Sequence, residues 1–474
     1  MFNLLNGKGA QIMTKVIIIG GGVVGCAVAR ELARYQCEVL LFERNIDVSE
    51  GTSKANSGII HAGFDAKPNT HKAKFNVIGN EMFDSLSKEL DFSFFRNGAM
   101  VLCFSEEELP ALQKLQRQGL QNGVKGLEII SGQQALQIEP KLSKEVVYAL
   151  YAPTSGIVSP YEMTLAYAEN AHDNGVRFEF GAKVTNVTKV AEEGYCVSTE
   201  TCDYYCDVVV NCAGVYADDI NDMVNESPQF TIVPRKGEYI LLDKECEEIV
   251  QHTIFRLPTN MGKGVLVTRT IHGTVLVGPT SVDITDKEDV NPTPEGLESL
   301  WEKGILLVPT LNREQEITQF AGNRAHGSTG DFVIGWAQKG FFNLSAIESP
   351  GLTSAPALAV YASEEIAKEY GLQKNPDFNP IRKDIPHLFS MTEEEKRTLI
   401  ATDPAYGNIV CRCESVTEGE IRDSIRRPIG AKSLDGIKRR TRAGMGRCQN
   451  CYCGEKVLQI LSRELNVNIE EIPK

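Results

Sequence analysis

Hydrophobic positions change period twice within Lys15–Arg44, which reads KVIIIGGGVVGCAVARELARYQCEVLLFER. Val16–Ile19 is continuous and β-branched, as suits a strand buried on both faces. From Val24 to Tyr35 the apolar positions Ala27, Val28, Leu32 and Tyr35 recur at helical spacing, and Val39–Phe42 is again a continuous strand-like run. Between the first strand and the helix lie Gly20, Gly22 and Gly25 in G-x-G-x-x-G spacing. The first permits a tight turn, the second lets backbone approach a pyrophosphate, and the third lets the helix pack closely on the strand. Glu43 ends the second strand, where a ribose hydroxyl pair needs an acceptor. Together they predict a dinucleotide site. An acid there, rather than a basic residue, favours an unphosphorylated adenosine ribose, hence FAD or NAD.

Further along, Thr52–Lys67 (TSKANSGIIHAGFDAK) is small, polar and glycine-bearing, a loop able to pass close to a flat cofactor. His61 within it reads, taken alone, as an ordinary structural histidine. His71–Leu90 predicts an amphipathic helix with Phe75, Ile78, Met82, Leu86 and Leu90 inward. Strands are expected over Phe92–Phe104, a helix over Glu106–Asn122 and a short helix over Ser131–Ile138, ended by Glu139-Pro140. A strand at Val146–Ala152 and a helix at Ser159–Asn174, stopped by Asn174-Gly175, come next. Arg177–Val190, Gly194–Thr199 and Tyr204–Asn211 read as strands, the last returning the chain to the dinucleotide sheet at Cys212-Ala213-Gly214. The spacing of Cys196, Cys202, Cys206 and Cys212 fits strand and turn positions better than a metal site.

From Phe230 to Val333 the pattern is β-rich. Short strands are expected at Glu238–Leu242, Thr253–Leu257, Gly264–Thr268 and Thr274–Gly278, with one helix at Pro294–Leu307. Lys263 and Arg324 fall in glycine-containing stretches read as turns, Gly262-Lys263-Gly264 and Gly322-Asn323-Arg324, where lone basic residues are usually just solvated. Phe341–Ala346 predicts a strand, Glu348–Gly351 a turn and Leu352–Tyr370 a long helix. The start of that helix, Gly351-Leu352-Thr353-Ser354, offers free backbone N–H groups and a positive dipole end. Asn375–Pro386, rich in Pro, Asn and Asp, predicts a linker.

Composition adds three constraints. A length of 474 residues predicts several domains, and the net charge of −14 argues against general nucleic-acid binding. No apolar run is long enough to cross a bilayer, and Met1–Ile12 has neither the basic start nor the apolar centre of a signal peptide. A dispensable leader and a cytoplasmic location are therefore expected. Thirteen unevenly placed cysteines do not resemble a secreted disulfide framework. Five of them fall in the last 64 residues, where residues 408–474 carry 13 Lys/Arg against 9 Asp/Glu, so the tail is basic while the whole chain is acidic. Cys411-x-Cys413 and Cys448-x-x-Cys451-x-Cys453 supply more thiolates than one four-coordinate site requires, for zinc or an iron–sulfur cluster.

These stretches also carry a resemblance. The opening motif, NSGIIHAGFDAKP (Asn56–Pro68) and NCAG (Asn211–Gly214) resemble the D-amino-acid-oxidase superfamily of flavoproteins. PRKGEY (Pro234–Tyr239), GKGVLV (Gly262–Val267), VGPT (Val277–Thr280), FAGNR (Phe320–Arg324) and ESPGLTSAP (Glu348–Pro356) narrow it to the glycerol-3-phosphate oxidase/dehydrogenase and 2-hydroxyglutarate oxidase branch. CRCESVTEGEI, RRTRAGMGRC and CYCG resemble the ferredoxin-like tail of anaerobic glycerol-3-phosphate dehydrogenase large subunits and the bacterioferritin-associated ferredoxin. Tyr35-Gln36 departs from the pattern, because the family often has glycine before the second strand.

The resemblance implies an α/β fold. A discontinuous Rossmann-like FAD domain would comprise residues 14–90, 154–225 and 335–373, and a β-rich substrate domain residues 91–153 and 226–334. A linker over 374–407 and a small, mainly helical 2Fe-2S domain over 408–474 would follow. It assigns Gly20, Gly22 and Gly25 to the pyrophosphate and Glu43 to the ribose, and counts Val24 and Arg44 among the cofactor-binding residues. Thr52, Ser53, Ser57 and Gly58 would line the flavin, Val184 would present its backbone to adenine, and Ala213 and Gly214 would close the pyrophosphate side. Gly351, Leu352, Thr353 and Ser354 would face the pyrimidine edge, where reduced flavin carries negative charge. His61 becomes the catalytic base, with Lys263 and Arg324 holding an anionic substrate group.

For the cluster, the small ferredoxins' spacing selects Cys451 and the dehydrogenases' selects Cys453. The surrounding residues favour Cys411, Cys413, Cys448 and Cys453. Arg439, Arg440 and Arg442 would bind an acidic redox partner or anion, or form a solvated basic face. The implied activity is oxidation of sn-glycerol 3-phosphate to dihydroxyacetone phosphate, with electrons passing to a partner protein or quinone-linked subunit. The alternatives are an L-2-hydroxyglutarate dehydrogenase/oxidase and a redox-sensing or docking flavoprotein.

Overall fold

The computed structural model describes residues 13–190, 194–257 and 264–473, so Lys263 and the leader Met1–Ile12 lie outside the described residues. Lys15–Ile19 is the centre of a six-stranded sheet, in the order Val333–Gln338, Phe341–Ser345, Val208–Asn211, Lys15–Ile19, Glu38–Glu43, Arg177–Phe180. Five strands are parallel, and the edge strand Val333–Gln338 runs antiparallel. Alternate residues of the central strand face two different cores. Val16 and Ile18 join the cluster that contains helices Val23–Leu32, His71–Leu90, Pro160–Asp173 and Gly351–Tyr370. Ile17 and Ile19 join one with Val187, Tyr195 and Val197. These come from a small antiparallel sheet of Val184–Lys189, Tyr195–Thr199 and Asp203–Cys206. A continuous apolar run is what burial on both faces requires.

That small sheet divides two stretches expected as single strands. Arg177–Val190 becomes Arg177–Phe180 in one sheet and Val184–Lys189 in the other. Tyr204–Asn211 divides at Asp207, whose Oδ2 accepts the Lys15 N–H at 2.7 Å. Periodicity alone does not show where an apolar run changes sheets.

The second large sheet has nine strands. Eight follow the order Val282–Asp283, Ile232–Leu242, Val275–Gly278, Leu266–Arg269, Thr253–Arg256, Ala99–Cys103, Tyr148–Ala152, Glu128–Ser131, and Glu316–Gly327 pairs with Ile232–Leu242. Helix Pro294–Leu307, capped by the Thr293 side chain, puts Leu300, Trp301 and Leu307 into this sheet's core. Arg324 is not in a turn. It lies within the twelve-residue strand Glu316–Gly327, opposite Arg235. The glycine beside it serves close approach instead, since a Cβ on Gly322 would lie 2.2 Å from the Ala55 carbonyl oxygen.

Helix His71–Leu90 has the expected limits, and Phe75, Leu86 and Leu90 are buried as expected, but Ile78 is not. Ile78 is 44% exposed, whereas Gly79 and Phe83 are buried. Gly79 sits where a Cβ would meet the Thr353 carbonyl oxygen at 2.1 Å, so contact with helix Gly351–Tyr370 decides which face turns inward.

Residues 375–386 form no regular element, but the stretch is firmly pinned. Arg382, buried, donates from Nε to Glu169 Oε2 at 2.6 Å and from Nη1 to the carbonyls of Leu90 and Asp91. The expected linker also contains a helix, Glu393–Thr402, opened by a Thr392/Glu395 capping box. Beyond it, the hairpin Ile409–Cys411/Val416–Thr417 and helices Glu418–Arg426, Leu434–Thr441 and Gly454–Leu465 enclose a separate core that includes Ile421, Ile437, Val457 and Leu461. Among the described residues no helix is long and apolar enough to cross a membrane.

His387 joins this C-terminal unit to the rest, with Nδ1 3.3 Å from Glu420 Oε1 and Nε2 3.2 Å from Asp384 Oδ2. Burial alone would lower its pKa, but hydrogen bonds and charge from the two carboxylates outweigh that and raise it to about 10. A histidine whose folded pKa is raised stabilises fully below its unfolded value near 6.5, and the contribution is lost as pH rises from there through about 10. The His387→Gln protein is therefore expected to unfold with less alkaline sensitivity than the parent between pH 7 and 10, read as the difference in Tm across that window. Equal slopes would remove His387 from the linkage.

Candidate flavin and cluster sites

A parallel sheet binds ligands beyond the carboxyl ends of its strands. Here those ends open into a cavity of about 1960 Å³ that extends to the nine-stranded sheet. The turn after Lys15–Ile19 is tied into place by Gly20 N–H to the Phe42 carbonyl at 2.8 Å and Cys212 N–H to the Ile19 carbonyl at 2.9 Å. Gly20 has φ +113°, and a Cβ on Gly25 would lie 1.9 Å from the Gly20 carbonyl oxygen, so neither position tolerates a side chain. Gly20, Gly22 and Val24 line the cavity, while Gly25 lies behind them in the packing.

Glu43 also lines it. Its Oε2 accepts the Gly21 N–H at 2.7 Å and its Oε1 the backbone and side-chain N–H of Asn45 at 2.9 and 2.8 Å. Burial pushes the carboxyl upward in pKa, against the pull of those donors. Oε2, with a single donor, retains a lone pair for a further hydroxyl. Arg44 lines the same end, bonded to Glu288 and stacked 4.5 Å over Tyr216. Ala213 and Gly214 follow from Asn211, whose amide donates to Asn343 Oδ1 at 2.9 Å and to the Ala217 carbonyl at 2.7 Å. With Val184, they complete the wall on this side.

The loop after Glu43 crosses the cavity. Ser53 Oγ accepts the Val23 N–H at 2.9 Å, and Thr52 Oγ1 donates to the Asn323 carbonyl at 2.5 Å. Thr52, Ser53 and Ser57 line the cavity, whereas buried Gly58 packs against the Val158 carbonyl. His61 is gripped through its backbone: Thr353 Oγ1 accepts its N–H at 2.9 Å, and the Asn76 and Asn80 amides donate to its carbonyl at 2.7 and 3.0 Å. Its Nε2 stands 3.4 Å from Ser349 Oγ. Gly351 and Leu352 line the cavity nearby, but Thr353 and Ser354 are fully buried, so the Thr353 hydroxyl anchors His61 and does not line the cavity. The asparagine pair Asn76/Asn80 is a functional feature that the apolar pattern does not pick out, although two amides at i, i+4 on a helix expected to be apolar inside are a visible signal.

At the far wall Arg324 donates to three carbonyls, those of Arg235 and Lys236 at 3.3 Å and Thr280 at 2.7 Å, and forms no salt bridge among the described residues. Its neighbour Arg235 is neutralised by Asp283. Glu348 is held ionised: Lys72 at 2.7 Å and His326 at 3.0 Å outweigh burial and keep its carboxyl below the usual range. The glycine cradle, the donor-bound acid and the cavity's length suit an extended dinucleotide. The His61 imidazole and the Arg324 guanidinium line the same cavity.

In the C-terminal unit Cys411 contacts Cys453, and Cys413 contacts Cys448. Cys451 is exposed and outside both pairs. Among the described residues no three donors converge on one ion. Two thiol pairs are what two irons require, each taking two thiolates. Gly446 lets the segments meet, since a Cβ there would lie 2.4 Å from Cys413 Cβ. Arg439, Arg440 and Arg442 do not form a solvated or partner-binding face. Arg439 and Arg440 pair with buried Asp47, and Arg442 with Glu414. Sequence shows a run of cations but not the acids folded against it.

Comparison with known proteins adds three relatives. Residues 15–365 match the FAD dependent oxidoreductase family (DAO), and residues 409–463 match the BFD-like [2Fe-2S] binding domain. The chain is 48% identical over 467 residues to the glycerol 3-phosphate dehydrogenase of Caloramator mitchellensis, covering 98% of this chain and 96% of that one. It is 28% identical to the mitochondrial L-2-hydroxyglutarate dehydrogenase of Pongo abelii, covering 75% of this chain and 88% of the relative. The dithionite-reduced L-alpha-glycerophosphate oxidase of Mycoplasma pneumoniae with FAD bound superposes with a TM-score of 0.74 at 31% identity, covering 80% of this chain and 100% of that one.

Proposed function

From membership in the FAD dependent oxidoreductase family, to which this chain belongs, we propose that it oxidises sn-glycerol 3-phosphate to dihydroxyacetone phosphate. A bound FAD supplies the hydride acceptor and a 2Fe-2S cluster a one-electron outlet. The observation that carries the reading is one cavity lined by both His61 and Arg324, the latter without a salt bridge among the described residues, in a chain 48% identical to a glycerol 3-phosphate dehydrogenase. Arg324 holds the substrate phosphate through Nη1, which takes no part in its three carbonyl bonds, and Lys263 makes the second contact. His61 Nε2 takes the proton from the substrate hydroxyl as hydride leaves the carbinol carbon. Gly20 and Gly22 cradle the pyrophosphate, Glu43 takes the ribose hydroxyls, and the Gly351–Leu352 backbone faces the pyrimidine edge of the ring. Cys411, Cys413, Cys448 and Cys453 hold the cluster. The final acceptor is a separate redox protein or a quinone-linked subunit.

Anaerobic addition of sn-glycerol 3-phosphate is expected to bleach the flavin within seconds, and L-2-hydroxyglutarate to leave it yellow. Arg324→Ala should raise KM for glycerol 3-phosphate by roughly 10- to 150-fold, the effect of about 1.5–3 kcal/mol for a charge-assisted contact. Faster bleaching by 2-hydroxyglutarate, with KM unmoved in the variant, would transfer the proposal to the 2-hydroxy acid.

A further inference from the structure

The loop from Asp47 to Lys54 has two faces, and each is bonded to a different part of the molecule. On the inner face the Ser49 N–H donates to the Gly21 carbonyl at 2.9 Å and Ser53 Oγ accepts the Val23 N–H at 2.9 Å, so the loop is fastened to the glycine turn at two points. Gly51, Thr52 and Ser53 line the cavity. On the outer face it meets helix Leu434–Thr441 of the C-terminal unit. Asp47, 3% exposed, accepts from Arg440 Nη1 at 2.6 Å, from Arg440 Nη2 at 2.8 Å and from Arg439 Nη2 at 2.9 Å. Glu50 accepts from Arg439 at 2.6 Å, and Lys54 reaches Asp435 at 3.0 Å. Between Asp47 and Glu50, Ser49 is fully buried with φ 63°, a left-handed conformation that a serine keeps only when its surroundings impose it. Ser49 is held by its own N–H bond to the Gly21 carbonyl and lies between the ion pairs of Asp47 and Glu50. The same helix runs into Arg442, which bonds Glu414 at 2.8 Å, next to Cys413.

We propose that Arg439 and Arg440 are positioning residues of the flavin site, supplied by the cluster domain: by clamping Asp47 and Glu50 they hold the Gly51–Ser53 wall in its binding shape. Flavin affinity and docking of the cluster domain are then coupled, and the coupling is reciprocal. This rests on the reading that FAD occupies the cavity.

The test strips FAD from the full-length chain and titrates FAD back, following the quench of flavin fluorescence. Asp47→Asn and Arg440→Gln are each expected to raise the Kd for FAD at least tenfold. The double variant should lose less than the product of the single losses, because no charge is left buried without a partner. Arg427→Gln removes another ion pair across the same boundary, to Glu169, which does not touch the loop, and should leave the Kd within twofold. At saturating FAD, KM for glycerol 3-phosphate should be unchanged in Arg427→Gln. If Arg440→Gln does not fold, Asp47→Asn decides, since it leaves the bonds from Arg440 to the Ile429 and Gly436 carbonyls in place. An Asp47→Asn Kd within twofold of the parent, or an equal loss in Arg427→Gln, overturns the proposal. A parent chain that takes up no FAD overturns the cavity reading itself.

Discussion

Replacing His61 with asparagine is expected to lower kcat by about 10²- to 10⁴-fold, the range for removal of a positioned general base, while leaving FAD bound. The two effects separate because the residue is held by its backbone. Its N–H donates to Thr353 Oγ1, and its carbonyl accepts from Asn76 and Asn80. None of these bonds involves the imidazole, so the loop keeps its course when the ring is removed. The measurement is the first-order rate of anaerobic flavin bleaching at saturating substrate, alongside the visible spectrum of bound flavin. A rate within threefold of the parent, with normal flavin content, would take His61 out of the chemistry. Loss of flavin together with rate would point instead to a structural role for the ring.

The second large effect concerns the cluster. Cys451→Ser should retain its visible absorbance after anaerobic purification, and Cys453→Ser should lose more than half of it. The two cysteines lie only two positions apart, yet their surroundings differ. Cys453 is 1% exposed, begins helix Gly454–Leu465 as its cap residue and contacts Cys411. Cys451 is exposed. A thiol sheltered from water is protected from oxidation. The reverse pattern would show that the tail follows the C-x-x-C spacing of the small ferredoxins.

Features set by local chemistry are legible in the amino-acid sequence. Helix Pro294–Leu307 appears at its expected limits because a capping threonine and a first-turn proline announce it. The glycine turn after the first strand is legible because only glycine fits where a Cβ would strike a carbonyl. Arg324 lies in a strand rather than the expected turn, because Gly322 beside it answers the approach of Ala55 and not a change of chain direction. A glycine marks absent volume, but which neighbour fills it is decided by residues far away in sequence. The same holds for Arg439 and Arg440, whose partners Asp47 and Glu50 precede them by almost the whole chain. The Thr392/Glu395 cap is local and visible, and only the proline-rich composition of the preceding stretch obscures it.

The strand order of the main sheet also dictates when it can be completed. Lys15–Ile19 pairs on one side with Glu38–Glu43, made almost at once, and on the other with Val208–Asn211. Val208–Asn211 in turn waits for Phe341–Ser345. At roughly 5–20 residues per second of synthesis, the inner edge of the first strand stays open on the ribosome for on the order of 10 s. A bare, apolar, parallel edge of that kind is slow to pair and prone to join another chain. The nascent N-terminal third should therefore be the part most dependent on chaperone cover. Asp47 must wait longer still for its arginines, so the loop it begins is finished only after helix Leu434–Thr441 emerges.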